Sequence, residues 1–217
     1  MNNKIKLKLQ SNELTIGSWI TLPCTAIAEI MCNAGFDWLV VDLEHSTISI
    51  ESAGEIIRTI ELSGTNSLVR LTSNNANQIK RVLDAGAHGI VVPNVNSAKE
   101  AKLAVNATRY GPEGGRGVGL ARAQQYGAEF NEYLDWQSNN VVVIAQIEHI
   151  DALENLKEII KTDGIDGVII GPYDLSCSMG IPGEFYRQDF EETMANILKT
   201  CQDLNFPCGI HVVEPNL

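Results

Sequence analysis

Asp163-Gly164-Ile165-Asp166-Gly167-Val168-Ile169-Ile170 reads as a helix stop followed at once by a strand. A glycine just past a helix takes the left-handed conformation that ends it. An unbroken β-branched apolar run suits a strand covered on both faces, as in a parallel sheet. The same phrase recurs in Ala34-Gly35-Phe36-Asp37-Trp38-Leu39-Val40-Val41 and in Ala85-Gly86-Ala87-His88-Gly89-Ile90-Val91-Val92.

Working outward from these copies, strands are expected at residues 15–20, 38–43, 67–71, 89–93, 141–147, 167–170 and 207–213. Helical patterns lie between them. Residues 152–160 place Leu153, Leu156, Ile159 and Ile160 on one face. Residues 97–110 open with Ser97 and, three positions on, Glu100, the spacing of a capping box. Strict strand–helix alternation argues for a parallel sheet with right-handed crossovers. Seven units point to a TIM-type (β/α)8 barrel, one domain spanning residues 1–217, with no linker and no second domain. The eighth β/α unit is missing: the chain ends at Leu217, whereas such barrels need about 250 residues. Either the chain is shortened at its C-terminus, or closure comes from elsewhere, as from a partner subunit.

Composition bounds the function. With 44% hydrophobic and 20% charged residues the 217-residue chain is globular in profile. A formal net charge of −11 argues against nucleic acid or an anionic membrane as partner. No stretch approaches the length of a membrane span, and residues 1–10 alternate Lys with Ile and Leu without the apolar core of a signal peptide. Five cysteines (Cys24, Cys32, Cys177, Cys201, Cys208) form no Cys-x-x-Cys pair, which suits reduced thiols in a cytoplasm.

A barrel carries its site at the C-terminal ends of its strands. Strand two ends Asp42-Leu43-Glu44-His45, strand three ends in Arg70, strand five ends Gln146-Ile147-Glu148, and strand six runs into Gly171-Pro172-Tyr173-Asp174. Glu148 and Asp174 are the metal candidates. Two carboxylates without a His or Cys pair favour a hard cation such as Mg²⁺ or Mn²⁺; the bland alternative is a solvated loop acid or helix cap. His45 is a candidate general base with Asp42 orienting its ring, or else a structural residue capping a helix that starts near Ser49. Arg70 ends an apolar strand, so an anion must meet its charge: a bound carboxylate or enolate, or a fixed acid such as Asp42 or Asp84. His88, His149 and His211 read as structural, with His149 also a candidate neighbour of the metal. None of the nine lysines ends a central strand, so a Schiff-base mechanism lacks its nucleophile, and carbanion chemistry here would need a metal as electron sink. The glycine-rich stretch from Gly111 to Gly119 is no nucleotide fingerprint; with residues 110–137 and 171–187 it supplies candidate loops over the site.

Several of these segments together carry a family resemblance. Ala34-Gly35-Phe36-Asp37-Trp38 leads to Asp42-x-Glu44-His45; Gln78-Ile79-Lys80 precedes Asp84-x-Gly86; then follow Ala107-Thr108-Arg109-Tyr110, Arg116-Gly117-Val118-Gly119, Gln146-Ile147-Glu148 and Gly171-Pro172-x-Asp174-Leu175-Ser176. From about Gly17 onward the chain resembles the metal-dependent pyruvate aldolases that include 4-hydroxy-2-oxoheptanedioate aldolase and 2-dehydro-3-deoxyglucarate aldolase. The resemblance implies retro-aldol cleavage of a 4-hydroxy-2-oxo acid to pyruvate and an aldehyde. It implies Glu148 and Asp174 as ligands of Mg²⁺ or Mn²⁺, with Co²⁺ or Zn²⁺ as alternatives, and Gln146 beside the metal. It implies Arg70 at the enolate oxygen, His45 with Asp42 in proton transfer, and the amides of Tyr173 and Asp174 at the substrate carboxylate. Asp84, from its shared motif, joins the catalytic candidates. The resemblance also implies a homo-oligomer, often a hexamer. Tyr173 departs from the family pattern, which has Ala there, so that either the pocket differs or the phenol contacts the aldehyde portion. Two rival readings stand beside this one: a related enolate-forming lyase or isomerase acting on another oxo acid or acyl-thioester, and a non-catalytic truncated barrel.

Overall fold

The computed structural model describes residues 3–212. Its strands are β1 (Gly17–Ile20), β2 (Trp38–Asp42), β3 (Asn66–Arg70), β4 (Gly89–Val92), β5 (Val142–Ile147), β6 (Gly167–Ile170) and β7 (Cys208–Ile210). All seven expected strands form, with ends shifted by one or two residues except at residue 213, which lies outside the described residues. They make one all-parallel sheet in the order β1-β2-β3-β4-β5-β6-β7.

Between them run α2 (Thr25–Asn33), α3 (Ile50–Leu62), α4 (Ala76–Asp84), α5 (Ala98–Thr108), α6 (Phe130–Asn140), α7 (Ile150–Glu154), α8 (Leu156–Ile160), α9 (Pro172–Ser178) and α10 (Gln188–Asp203), after an N-terminal α1 (Lys4–Gln10). Their starts follow local chemistry. Ser49, Asn75 and Ser97 each accept the amide three residues on from an extended N-cap. At the capping box expected for residues 97–110, the Glu100 carboxylate takes the amide of Asn96 rather than that of Ser97. Gly86 and Gly164 sit at φ +100° and +91°, as the helix-stop phrase requires. The helix expected over residues 152–160 is broken at Asn155, whose side-chain amide donates to the Asn96 carbonyl.

Side chains alternate across the sheet. Leu39, Val41, Val69, Ile90, Val92, Val143, Ala145, Ile147, Val168 and Ile170 face the helices in the larger core. Val40, Leu68, Val91, Val142, Ile144 and Ile169 face inward and form a second core with Ile5 of α1. Residues 4–10 alternate like a strand but fold as a helix. Its Ile5 is buried on the inner face, and Lys6 donates to the Val141 carbonyl and pairs with Asp166 at the N-terminal end of the strands.

The closed (β/α)8 barrel does not form. Among the described residues β1 and β7 pair with one neighbour each and not with one another, and no eighth strand stands between them. The sheet nevertheless curls until its edges face each other: Trp19 on β1 stacks at 4.5 Å on His211, the residue after β7. The architecture is an open half-barrel, with a cavity of about 620 Å³ along the gap. Closure is a long-range property, and the local phrase that predicts each strand carries no information about it. Among the described residues no helix is long and apolar enough to cross a membrane.

Candidate active site

The two-residue alternation that puts Val40, Leu68 and Ile144 inside also puts Asp42, Arg70 and Gln146 inside, one step further along their strands. Asp42 and Arg70 are register partners. Arg70 Nε donates to Asp42 Oδ1 at 2.9 Å and Nη2 to Oδ2 at 2.6 Å, a bidentate pair that is almost wholly buried. Burial opposes the charge on Asp42, but the Arg70 guanidinium and the amides of Glu44 and His45 hold its carboxyl below the usual range. Of the two partners considered for Arg70, the fixed neighbour Asp42 is in place, using two of the three guanidinium nitrogens. Asp42 also holds His45 by its main-chain amide; the imidazole itself is 61% exposed, with Nε2 3.8 Å from Glu44 Oε2. Ser49, and not His45, caps α3.

Glu148 follows β5 and is buried. Its Oε1 accepts the Asn94 amide at 2.7 Å and its Oε2 accepts the side-chain amide of Gln146. Burial raises its pKa, and Asp174 adds to the rise. Asp174, exposed in the first turn of α9, is the other rim acid. Gly171 makes room for this arrangement: a Cβ there would lie 2.8 Å from Glu148 Oε2 and 3.3 Å from Gln146 Nε2. Tyr173, next to Asp174, is held edge-on against Phe185 at 4.9 Å, and Phe185 leans on buried Phe190 at 5.4 Å.

Glu44, the middle acid of Asp42-x-Glu44-His45, is a further acid of the site to which the motif alone assigns no role. Burial lifts its pKa to about 7, with Glu148, Asp42 and Asp174 adding to the rise and Arg70 opposing it. Its Oε2 lies 3.5 Å from Arg70 Nε without a hydrogen bond, and Gln146 Oε1 is likewise buried and unpartnered. The signal was available: two residues beyond Asp42, Glu44 continues the inward side of the alternation past the strand end.

The donor set fits a divalent cation. Four carboxylates (Asp42, Glu44, Glu148 and Asp174) interact electrostatically around Arg70, and two buried oxygens, Glu44 Oε2 and the amide Oε1 of Gln146, lack a proton donor. A cation relieves both conditions. Among the described residues no three His, Cys, Asp or Glu side chains form a ready metal cage. Glu148 and Asp174 are the rim acids that could hold a hard ion, with oxygens of water and substrate completing its shell.

Other candidates lie elsewhere. Asp84 ends α4, and a helix that returns antiparallel to the strands ends at their N-terminal side. There Asp84 pairs at 2.6 Å with the buried Arg116, which also donates to Tyr133 Oη and lies over the Tyr110 ring. No hydrogen bond or ion pair described links Asp84 to Glu148 or Asp174. The glycine-rich stretch belongs to this same end, tied by the Gly115 and Arg116 amides to the Asn106 and Arg109 carbonyls at the close of α5; it is not a loop over the strand C-termini. His88 also sits at that end, its Nδ1 accepting the Ser67 amide, and His149 caps α7. Residues 171–187 do rise from the C-terminal side of β6.

An open parallel half-barrel with paired acids and a fixed arginine at its strand ends defines a class: enzymes whose site can stabilise negative charge developing on a small substrate. The chain belongs to the HpcH/HpaI aldolase/citrate lyase family, whose model matches residues 15–213. It is 37% identical to the hydroxypyruvate/pyruvate aldolase of Cupriavidus necator over 218 residues, covering 100% of this chain and 81% of that protein. It is also 37% identical to the 4-hydroxy-2-oxo-heptane-1,7-dioate aldolase of Klebsiella pneumoniae, covering 100% of this chain and 82% of the relative. Among solved structures, an HpcH/HpaI aldolase/citrate lyase family protein from Burkholderia cenocepacia superposes with a TM-score of 0.90 at 30% identity, covering 96% of this chain and 84% of the other.

Proposed function

We propose that this chain, as one domain over residues 1–217, reversibly cleaves a 4-hydroxy-2-oxo acid into pyruvate and an aldehyde, using a divalent cation held by Glu148 and Asp174. It is an enzyme, an aldehyde-lyase. The observation that carries the mechanism is the buried surplus of carboxylates around Arg70, with Glu44 lifted to about 7.

Mg²⁺ or Mn²⁺ suits the oxygen ligands best, with Co²⁺ or Zn²⁺ as alternatives. When bound, such an ion supplies Lewis-acid stabilisation of the charge that builds on the oxo acid. The chain's own residues do the rest. Loss of the C4 hydroxyl proton lets the C3–C4 bond break; its electron pair becomes the pyruvate enolate, and C3 then takes up a proton. Arg70, fixed in place by Asp42, offers preorganised positive charge to that enolate. His45, exposed at the rim, exchanges protons with the C4 hydroxyl through water, while Asp42 holds the backbone that carries it. Gln146 fixes the Glu148 carboxylate, and the Tyr173 and Asp174 amides receive the substrate carboxylate. The Tyr173 ring borders the aldehyde portion. Asp84, at the far end of the strands, has no part in this reading. Five free cysteines are in keeping with a cytoplasmic enzyme, and the homo-oligomer, such as a hexamer, that the sequence resemblance implies belongs to the same reading.

Pyruvate release from a 4-hydroxy-2-oxo acid, with Mn²⁺ and with chelator, tests the proposal. Release is expected with the metal and not without it. Unchanged release after thorough chelation would remove the metal; no release under either condition would remove the aldolase reading.

A further inference from the structure

The gap between β1 and β7 is bridged at one place. Register places Trp19 opposite Val40, and Gly209 opposite Ile169. Val40 and Ile169 face inward, so Trp19 and Gly209 do too, and so does His211 two residues on. The His211 amide donates to the Ile170 carbonyl at 3.1 Å, which fixes the residue beside the strand that leads to Asp174. Its imidazole then stacks on the Trp19 indole, with centroids 4.5 Å apart and planes 30° from parallel. The same indole carries the Arg70 guanidinium, 4.5 Å from the ring centre. Arg70 thus has two supports: Asp42 in its plane and Trp19 against its face. Trp19 lies on an edge strand with one sheet neighbour, and His211 braces it from across the gap.

We propose that His211 is a positioning residue of the active site: by stacking on Trp19 across the open seam, it fixes the surface on which the Arg70 guanidinium rests. This goes beyond the aldolase reading but rests on it for the role of Arg70. The environment suits a neutral imidazole. Burial lowers the His211 pKa and Arg70 lowers it further, with Asp42 the opposing charge. A neutral ring stacks beside a guanidinium without repulsion; a protonated one places a second cation next to it.

Two measurements on the full chain loaded with Mn²⁺ test this. The first is exchange of pyruvate methyl protons for deuterium in wild type, H211A and H211F. H211A is expected to lose roughly tenfold in the maximal exchange rate with a smaller change in KM, as for one loosened cation–aromatic contact. H211F, which keeps a flat ring, is expected to recover most of that loss. An unchanged rate in H211A overturns the proposal. So does an H211F rate as low as that of H211A, because the imidazole and not the stack would then be what the reaction uses. The second is tryptophan fluorescence against pH, read as the difference between wild type and H211F. A transition below the ordinary histidine range of about 6.5, absent in H211F, is expected; no difference means no stack and overturns the proposal without reference to activity. Absence of exchange in wild type would overturn the aldolase reading, and the fluorescence difference would still decide whether His211 braces Trp19.

Discussion

Asp42 and Arg70 are paired twice over, as register partners of β2 and β3 and by two hydrogen bonds of 2.9 and 2.6 Å. Their burial decides what a substitution costs. Removing one charge strands the other in a low-dielectric site, at about 3 kcal/mol or more, whereas replacing both with apolar groups of similar volume removes the penalty. D42A is therefore expected to lower unfolding stability by about 3 kcal/mol, and D42L/R70M by clearly less. Urea unfolding of the three proteins checks this. Equal losses in D42A and the double variant would mean that the pair contributes nothing beyond its separate contacts.

Glu44 couples metal, protons and stability. Its carboxyl ionises near 4.5 in an unfolded chain and at about 7 in the fold. Between those values the folded state keeps a proton that the unfolded state has lost, so this group's contribution to stability falls as pH rises through the window. Glu148, also raised, acts with the same sign. The depressed Asp42 acts oppositely, and only as pH falls below its ordinary 3.8. Metal-free protein is expected to lose melting temperature from about pH 5 to about 7.5. E44Q should flatten that slope, and Mn²⁺ should reverse it by favouring the ionised carboxylates. Melting curves with chelator and with Mn²⁺ provide the check; a slope unchanged in E44Q would place the titration elsewhere.

Strand positions were legible because most are announced locally: a helix-stop glycine precedes β2, β3, β4 and β6, as at Gly164 before Val168–Ile170, and apolar runs mark the others. Asp42, Arg70, Gln146 and Glu148 were legible as strand ends for the same reason. The expectation of a closed barrel was not met: closure depends on whether β1 finds a partner nearly two hundred residues away, which no local pattern encodes. Asp84 ends a helix, and helix ends lie opposite strand ends in this topology, so the direction of the chain places it away from Glu148. His211 stands alone in sequence, with no motif around it. Only the inward parity of β7, read from Gly209, brings it to Trp19.

Gly171 tests whether Glu148 is held as a ligand. A methyl group there would press on Glu148 Oε2 at 2.8 Å and on its Cβ at 3.1 Å. The backbone angles are ordinary, so alanine brings no left-handed strain, and the disturbance stays with the carboxylate. G171A is expected to weaken Mn²⁺ binding about tenfold or more, the scale of a displaced ligand support. Its melting temperature without metal should change little. Mn²⁺ titration followed by electron paramagnetic resonance measures the first quantity. An unchanged dissociation constant would mean that Glu148 moves aside freely and is not held in place as a ligand.

The Asp84–Arg116 pair is the counterpart of Asp42–Arg70 at the opposite end of the sheet. Arg116 has a fully buried side chain whose Nε lacks a hydrogen-bond partner; Asp84 at 2.6 Å neutralises its charge, and the Tyr133 hydroxyl at 3.0 Å accepts one further hydrogen bond. D84A removes the charged partner, and the remaining guanidinium cannot shed its proton. The expected cost is about 3 kcal/mol, against well under 1 kcal/mol for an exposed pair such as Lys199–Asp203, where solvent replaces the lost partner. Urea unfolding of D84A and D203A makes the comparison directly. The same D84A protein should be assayed for pyruvate release per folded molecule: a loss larger than the unfolded fraction explains would return Asp84 to the reaction, and its distance from Glu148 along the strands would then require it to arrive from a second copy of the chain.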